Sequence, residues 1–202
     1  TTRGMPQTYY LSQTSPDIAG ECAALSTAMG LALLEGNEDT LLDNLVFAMA
    51  NPEAENSAKF IRNLSSLQST VGNELGFHSS AVGNPISYKS IIKELSEATS
   101  SKTLMISSTN HGMLAGVKID PTGITPKSWF FYDPNYGKAI FPTQESMAKG
   151  LEKTLSNGIT GKNLDAFGTI LTGKKYKVSA FDADVVASKF NIDRVRGLTQ
   201  PI

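Results

Sequence analysis

The order of predicted secondary structure indicates an α+β fold, in which a helical N-terminal part is followed by an antiparallel sheet. Apolar residues recur at helical spacing in the first half of the chain, whereas short β-branched and aromatic runs separated by turns fill the second half. Strands and helices do not alternate as they do in a parallel nucleotide-binding sheet. At 202 residues, 40% of them hydrophobic, the chain is long enough to bury one core. We therefore expect residues 1–202 to form a single domain.

Four helices are predicted in the first half of the chain. The first is rich in good helix formers and ends before Gly36, and the third carries apolar residues at three- and four-residue spacing. Asp39 or Thr40 is expected to cap the second helix, and Ser87 the fourth. The predicted ranges are 20–35, 39–51, 53–71 and 87–99. The segments expected to lack helices are 1–19, irregular or extended, and 72–86, a loop.

Six strands and two further helices are predicted in the second half. The strands are short and are bounded by turn residues such as Asp120 and Pro121. Thr143 is expected to cap a helix that reaches about residue 157, and a last helix is expected from about Asp182. The predicted strands are 103–108, 111–119, 128–133, 138–142, 166–172 and 176–181.

Composition and charge argue against several classes of function. A net charge of -1 does not suit a protein that is held by nucleic-acid phosphates. No apolar run approaches the about 20 residues of a membrane-spanning helix, and no glycine-rich phosphate loop suggests a nucleotidyl or glycosyl transferase. One cysteine cannot form an internal disulfide, and with two histidines it provides too few ligands for a structural zinc site. We therefore expect no metal, no cofactor and no stable membrane span.

The single cysteine, Cys22, falls at the predicted start of an apolar helix, shortly after Gly20. The N–H groups and dipole of the first helical turn favour an anion, which lowers the pKa of a thiol. A small buried hydrophobic residue is the alternative, because free cysteine is among the most buried residue types. Position on the helix alone leaves both interpretations open.

A histidine and an aspartate follow on two successive predicted strands. His111 opens one strand, where a neutral imidazole can take the proton of a thiol. Asp133 ends the next strand, where a carboxylate can hold the other ring nitrogen. Each has a structural alternative, because a lone histidine is commonly structural and Asp-Pro-Asn-Tyr-Gly is good turn chemistry. A hairpin joining the two strands would bring His111 and Asp133 together, whereas His78 is expected in a loop.

Three blocks of sequence surround these residues, namely Gly20-Glu21-Cys22-Ala23-Ala24-Leu25-Ser26, Asn110-His111-Gly112-Met113 and Phe130-Phe131-Tyr132-Asp133-Pro134-Asn135-Tyr136-Gly137. Together they resemble the YopT/AvrPphB-type cysteine proteases, which are papain-like domains of bacterial effectors and large multidomain toxins. The resemblance implies a papain-like fold with Cys22 as the nucleophile, His111 as the general base and Asp133 as its orienting partner. That family carries an amide side chain before the nucleophile to stabilise the oxyanion, and Gln13 is the nearest upstream amide here.

The resemblance further implies a thiol hydrolase that acts by acyl transfer, with a peptide bond of a protein as its substrate. The same triad can instead deamidate or transamidate glutamine or move a fatty acyl group. A catalytically silent module that binds a host protein is the alternative from another class. The sequence leaves these alternatives open.

The family also implies a setting. The domain is expected to be secreted by a bacterium as part of a larger protein and to act in the host cytosol. Its expected partners are a host protein substrate and an activating host protein, and the isolated domain is expected to be monomeric. Residues 1–14 and 191–202 are interpreted as connectors to flanking toxin domains, and self-processing near residues 1–6 is a further hypothesis.

Overall fold

The computed structural model describes residues 2–4, 22–71, 84–108, 111–157, 174–181 and 191–202. The helices within these ranges are α1 (Cys22–Glu35), α2 (Glu38–Ala50), α3 (Glu55–Val71), α4 (Tyr88–Ser96), α5 (Gln144–Leu151), which continues as a π-helical segment over Glu152–Asn157, and α6 (Ile192–Leu198). The strands are β1 (Thr2–Gly4), β2 (Lys102–Ser107), β3 (Gly112–Lys118), β4 (Ser128–Asp133), β5 (Gly137–Phe141) and β6 (Lys177–Ala180).

The described strands form one sheet in the order β1-β5-β4-β3-β2-β6, and every neighbouring pair is antiparallel. Consecutive strands β2 to β5 are therefore neighbours, as hairpin connections require. Strand β1 comes from the segment expected to be irregular or extended, and it pairs with β5 at the edge, with Thr2 opposite Ala139. The predicted α+β class, helices first and antiparallel sheet second, is confirmed.

Both faces of the central strands are covered by helices. Successive side chains of a strand point to opposite faces. Phe130 and Tyr132 of β4 pack with α1, α2, α3 and α6, whereas Trp129 and Phe131 pack with α4 and α5. This double burial explains why β4 is an unbroken aromatic run rather than an alternation of apolar and polar residues.

Helix α1 belongs to the helical layer that packs against Phe130 and Tyr132. Residues 24–33 of the helix are all buried, which explains the absence of a polar face in its sequence. Its approach to β3 depends on Gly116, because a Cβ there would lie 2.6 Å from Leu33 Cδ2 and 2.9 Å from the Lys102 carbonyl oxygen. None of the helices in the described ranges is both long enough and apolar enough to cross a membrane.

Several predicted boundaries need correction. Helix α2 begins at Glu38, before the predicted caps Asp39 and Thr40, because Asn37 takes the cap position and its carbonyl oxygen accepts the Leu41 N–H at 3.3 Å. Helix α3 begins at Glu55 rather than residue 53, and α4 ends at Ser96 rather than residue 99. The predicted strand 166–172 and the helix start at Asp182 lie outside the described residues.

The two predicted helix caps on serine and threonine differ in outcome. Thr143 caps α5 as predicted, because its hydroxyl accepts a hydrogen bond from the Ser146 N–H at 3.0 Å. Ser87 precedes α4 in extended backbone, but its side chain makes no capping hydrogen bond. Ser87 therefore occupies the predicted cap position without a side-chain capping bond.

Candidate active site

Cys22 is the first residue of α1 and its side chain is half-buried. The thiol is therefore near solvent, at the helix end where N–H groups have no partner within the helix. Burial of the thiol opposes its ionisation, but hydrogen bonding to His111, the positive charge of His111 and the N–H groups of Gly112 and Ala23 outweigh it. The pKa of the Cys22 thiol is lowered as a result.

His111 directly precedes β3 at the end of the β2–β3 hairpin. The Ser108 N–H donates to the His111 carbonyl oxygen at 3.0 Å, next to the pairing of β2 with β3. The imidazole is only 6% exposed, so it is largely shielded from solvent. The backbone of His111 is thus held by Ser108, and its ring by Asp133 and Cys22.

Asp133 ends β4 and binds both its own turn and the histidine. Its Oδ1 accepts a hydrogen bond from His111 Nε2–H at 2.6 Å and from the Asn135 N–H at 2.9 Å. Asp133 is 2% exposed, so the contact with His111 is shielded from solvent. With Nε2 engaged by Asp133, Nδ1 is the ring nitrogen that remains for the thiol.

The charges of the three side chains favour an ion pair between Cys22 and His111. Burial lowers the pKa of His111. The hydrogen bonds to Asp133 and Cys22, together with the negative charges of these two groups, outweigh burial and raise the pKa to about 9. The pKa of the Cys22 thiol is lowered at the same time, so the two groups shift in the directions that favour proton transfer from the thiol to the imidazole.

The first turn of α1 contacts the start of β3, directly beside His111. A Cβ added to Gly112 would lie 3.6 Å from Ala23 Cα, so the strand passes directly against the first turn of the helix. One turn after Cys22, the buried Ser26 hydroxyl donates to the Gly112 carbonyl oxygen at 3.1 Å. Ser26 is part of the first sequence block, and its spacing of four residues from Cys22 was the signal that could have predicted this role.

A further side chain missed by the sequence analysis is Tyr132. Its hydroxyl is fully buried and has no hydrogen-bond partner among the residues that the structure describes. Burial, followed by the negative charges of Asp133 and Cys22, raises the pKa of the phenol. Tyr132 is therefore a neutral group beside the candidate site.

Other predicted or candidate features lie elsewhere. The predicted oxyanion donor Gln13 and the loop residue His78 lie outside the described residues. A groove of about 210 Å³ opens between α3 and α6, and none of Cys22, His111 and Asp133 lines it. Its lining residues are Asn63, Ser66, Leu67, Thr70, Asn191, Arg194, Val195 and Leu198.

Comparison with known families decides the class of this domain. The sequence profile of the Mcf1 protease effector domain matches residues 1–194, which is nearly the whole chain. The chain belongs to the Mcf1 protease effector domain family. The resemblance inferred from the three sequence blocks, to protease domains of bacterial effectors and toxins, is thereby confirmed for this effector domain. No curated protein sequence matches it.

Two solved structures are similar to this protease effector domain. The cysteine protease-like domain PatoxP of the Photorhabdus asymbiotica toxin PaTox is 18% identical with a TM-score of 0.61, and the match covers 96% of this chain and 59% of that one. This similarity confirms the papain-like fold class, and the effector domain spans only 59% of the PatoxP chain. The Pseudomonas avirulence protein AvrPphB is 13% identical with a TM-score of 0.45, covering 90% and 95% of the two chains.

Proposed function

We propose that this protease effector domain is a cysteine protease in which Cys22 is the nucleophile, His111 the general base and acid, and Asp133 the group that orients His111. The observation that carries the proposal is the chain of interactions from Asp133 through His111 to a thiol of lowered pKa. Two of the three groups are buried while the thiol is half-buried, which suits a nucleophile that must meet a substrate.

The proposed reaction proceeds through a thioester. The Cys22 thiolate attacks the peptide carbonyl carbon and forms a C–S bond, and the electron pair of the C=O bond moves to oxygen. When the tetrahedral intermediate collapses, the C–N bond breaks and His111 gives its proton to the leaving amine. His111 then takes a proton from water, the hydroxide attacks the thioester, and the C–S bond breaks to release the acid and the thiolate.

Asp133 has an orienting role in this reaction. Its carboxylate accepts a hydrogen bond from His111 Nε2–H, so the ring presents Nδ1 to the thiol. The carboxylate also stabilises the positive charge of the imidazolium. The Gln13 amide and the Cys22 N–H are proposed to hold the oxyanion, with Gln13 resting on the family resemblance alone.

The proposed substrate is a host protein, and the proposed setting is the host cytosol after secretion of a larger bacterial protein. The family's description as an effector domain supports this setting, as does the membership of PatoxP in a toxin. A host activating protein and a monomeric isolated domain belong to the same proposal. A net charge of -1 gives no reason to include nucleic acid as a partner.

Cleavage of host proteins tests the proposal. The wild-type domain, Cys22→Ala, His111→Ala and the control His78→Ala would be incubated with host cell lysate, which supplies any activating protein, and new protein N-termini identified by mass spectrometry. We expect new N-termini with the wild type and His78→Ala, and none with Cys22→Ala or His111→Ala.

Two other results would contradict proteolysis by Cys22. Glutamine converted to glutamate in a Cys22-dependent way, without new N-termini, would identify a deamidase. A proteome unchanged by every variant would favour the silent binding module. Self-processing is tested separately with a longer parent chain, in which an intact junction near residues 1–6 would remove that hypothesis.

A further inference from the structure

A glutamine on a neighbouring helix binds the first turn of α1. The Gln68 Oε1 atom, on α3, accepts a hydrogen bond from the Ala24 N–H at 2.9 Å. An N–H group can bind only the oxygen of a carboxamide, so the contact itself settles which end of the Gln68 amide faces the helix. The two residues are 44 positions apart, so the bond joins elements that local sequence does not connect.

The bond from Gln68 is made to the same helical turn whose N–H groups act on the Cys22 thiol. The first N–H groups of a helix have no partner within the helix, and those of α1 surround Cys22. The Ala23 N–H acts on the Cys22 thiolate and lowers its pKa. The next N–H group, that of Ala24, is held by Gln68, so both amides that follow Cys22 have defined partners.

We propose that Gln68 is a positioning residue for Cys22, a role that rests on the proposed function of Cys22 as nucleophile. Its carbonyl holds the first turn of α1 in helical geometry from outside, which keeps the Ala23 N–H on the thiolate and the thiol against His111. Ser26 binds Gly112 one turn later, so the nucleophile lies on a stretch of helix that is held from two sides.

The neutrality of Gln68 is part of this role. A glutamate at this position would also accept the Ala24 N–H, and its charge would favour the helix N-terminus. The same negative charge, placed at the Ala24 N–H, would lie close to the Cys22 thiolate in the same helical turn and would raise the pKa of the thiol. A neutral acceptor satisfies the backbone without raising the pKa of the thiol, which is what the site requires of a residue here.

The test is the rate of iodoacetamide alkylation of the single cysteine as a function of pH, which needs no protein substrate. Gln68→Met removes the acceptor at similar length, Gln68→Glu keeps an acceptor but adds charge, and Ser69→Ala is a control at the neighbouring exposed position of α3. His111→Ala is measured in parallel. Circular dichroism verifies that each variant is folded.

We expect Gln68→Met to reduce alkylation near pH 6 by about tenfold, because small displacements of reacting groups are costly. Gln68→Glu should move the alkylation midpoint upward by about one pH unit, the effect of a like charge at this range. Ser69→Ala should match the wild type. A purely structural glutamine would change thermal stability and leave both pH profiles where they are.

The outcomes separate the two proposals. If His111→Ala lowers alkylation but folded Gln68→Met retains the wild-type profile, the role of Gln68 is wrong and the proposed function stands. If His111→Ala also retains that profile, the proposed function itself fails. Should Gln68→Met not fold, Gln68→Asn decides, because its carboxamide is one carbon too short to hold the Ala24 N–H in place: reduced alkylation near pH 6 supports the role, and an unchanged profile overturns it.

Discussion

At the scale of single residues, Asp133 combines two roles that the sequence presented as alternatives. Its Oδ1 accepts the Asn135 N–H within the turn and the His111 Nε2–H from the neighbouring strand. Turn chemistry could be predicted from the letters Asp-Pro-Asn, because it is local. The contact with His111 could only be suggested, because it depends on the register of β3 against β4.

Replacing Asp133 with asparagine should narrow the pH range of the reactive thiolate–imidazolium form. Asp133 is the larger of the two influences that raise the pKa of His111 to about 9, so its loss lowers that pKa toward the ordinary value of about 6.5. Because the imidazolium stabilises the Cys22 thiolate, less thiolate should form near neutral pH, and the rise of the alkylation profile should move to higher pH. The profile is measured with iodoacetamide from about pH 5 to pH 10, a range that covers the ordinary pKa values of histidine and cysteine.

The matched control for this prediction is Asp120→Asn. Asp120 also accepts N–H groups of its own turn, from Thr122 and Thr125, and these bonds lower its pKa to about 2. It is half-buried and does not contact His111, so its replacement should leave the alkylation profile unchanged. A profile for Asp133→Asn that coincides with that of Asp120→Asn would contradict the role given to Asp133.

At the scale of elements, the junction of α1 with β3 determines the geometry of the site. Composition and the following glycine predicted α1, and the turn residues predicted the hairpin that carries His111. The sequence could not predict that Ser26 faces Gly112, because that requires the rotation of the helix on the sheet. A Cβ at Gly112 would lie 3.6 Å from Ala23 Cα, an ordinary van der Waals contact, so the junction does not itself require glycine there.

Ser26→Ala should destabilise the fold and slow alkylation together. The variant leaves the buried Gly112 carbonyl oxygen without its donor, which costs about 1–3 kcal/mol of unfolding free energy. The control is Thr27→Val on the same helix, because the Thr27 hydroxyl is buried and has no hydrogen-bond partner among the described residues. Urea unfolding should show a loss for Ser26→Ala and none for Thr27→Val.

Alkylation near neutral pH separates the site from general stability in the same pair. Folded Ser26→Ala should react more slowly than the wild type, because Cys22 and His111 are no longer held at one distance. Equal alkylation rates for Ser26→Ala and Thr27→Val would show that the Ser26 bond does not position the thiol.

At the scale of the whole molecule, the last described segment is bound to the helical layer. Asn44 of α2 donates from Nδ2 to the carbonyl oxygens of Leu198 and Gln200, each at 2.8 Å, and Arg196 binds Glu35 of α1 at 2.7 Å. Residues 191–202 thus contribute a packed helix, while their interpretation as a connector stays a prediction.

Long-range order of this kind limits what the sequence can predict. Helices α1 to α5 follow local spacing, and the hairpins from β2 to β5 follow turn residues, whereas α6 lies in the segment interpreted as a connector. The edge position of β1, the contacts of Asn44 and the bond from Gln68 to Ala24 all join residues distant in sequence. Each of these contacts depends on how the elements pack against one another, so it cannot be predicted from composition or periodicity.

Asn44→Ala should destabilise the domain without altering the thiol. Asn44 is 3% exposed, and its loss leaves two carbonyl oxygens without a donor, a cost of about 1–3 kcal/mol. The control is Asn51→Ala, whose exposed side chain binds only the Phe47 carbonyl oxygen of its own helix. Denaturant unfolding should separate the two variants, and equal stabilities would contradict the proposed tie to the C-terminal segment.

The measurement that tests the central claim most directly is alkylation of Cys22 by iodoacetamide across pH in the wild type, His111→Ala and His78→Ala. Because the chain has one cysteine, every modified molecule reports on Cys22. We predict alkylation well below the ordinary thiol pKa of about 8.5, retained in His78→Ala and lost in His111→Ala. An ordinary thiol profile, unchanged by His111→Ala, would contradict the activated Cys22–His111 pair.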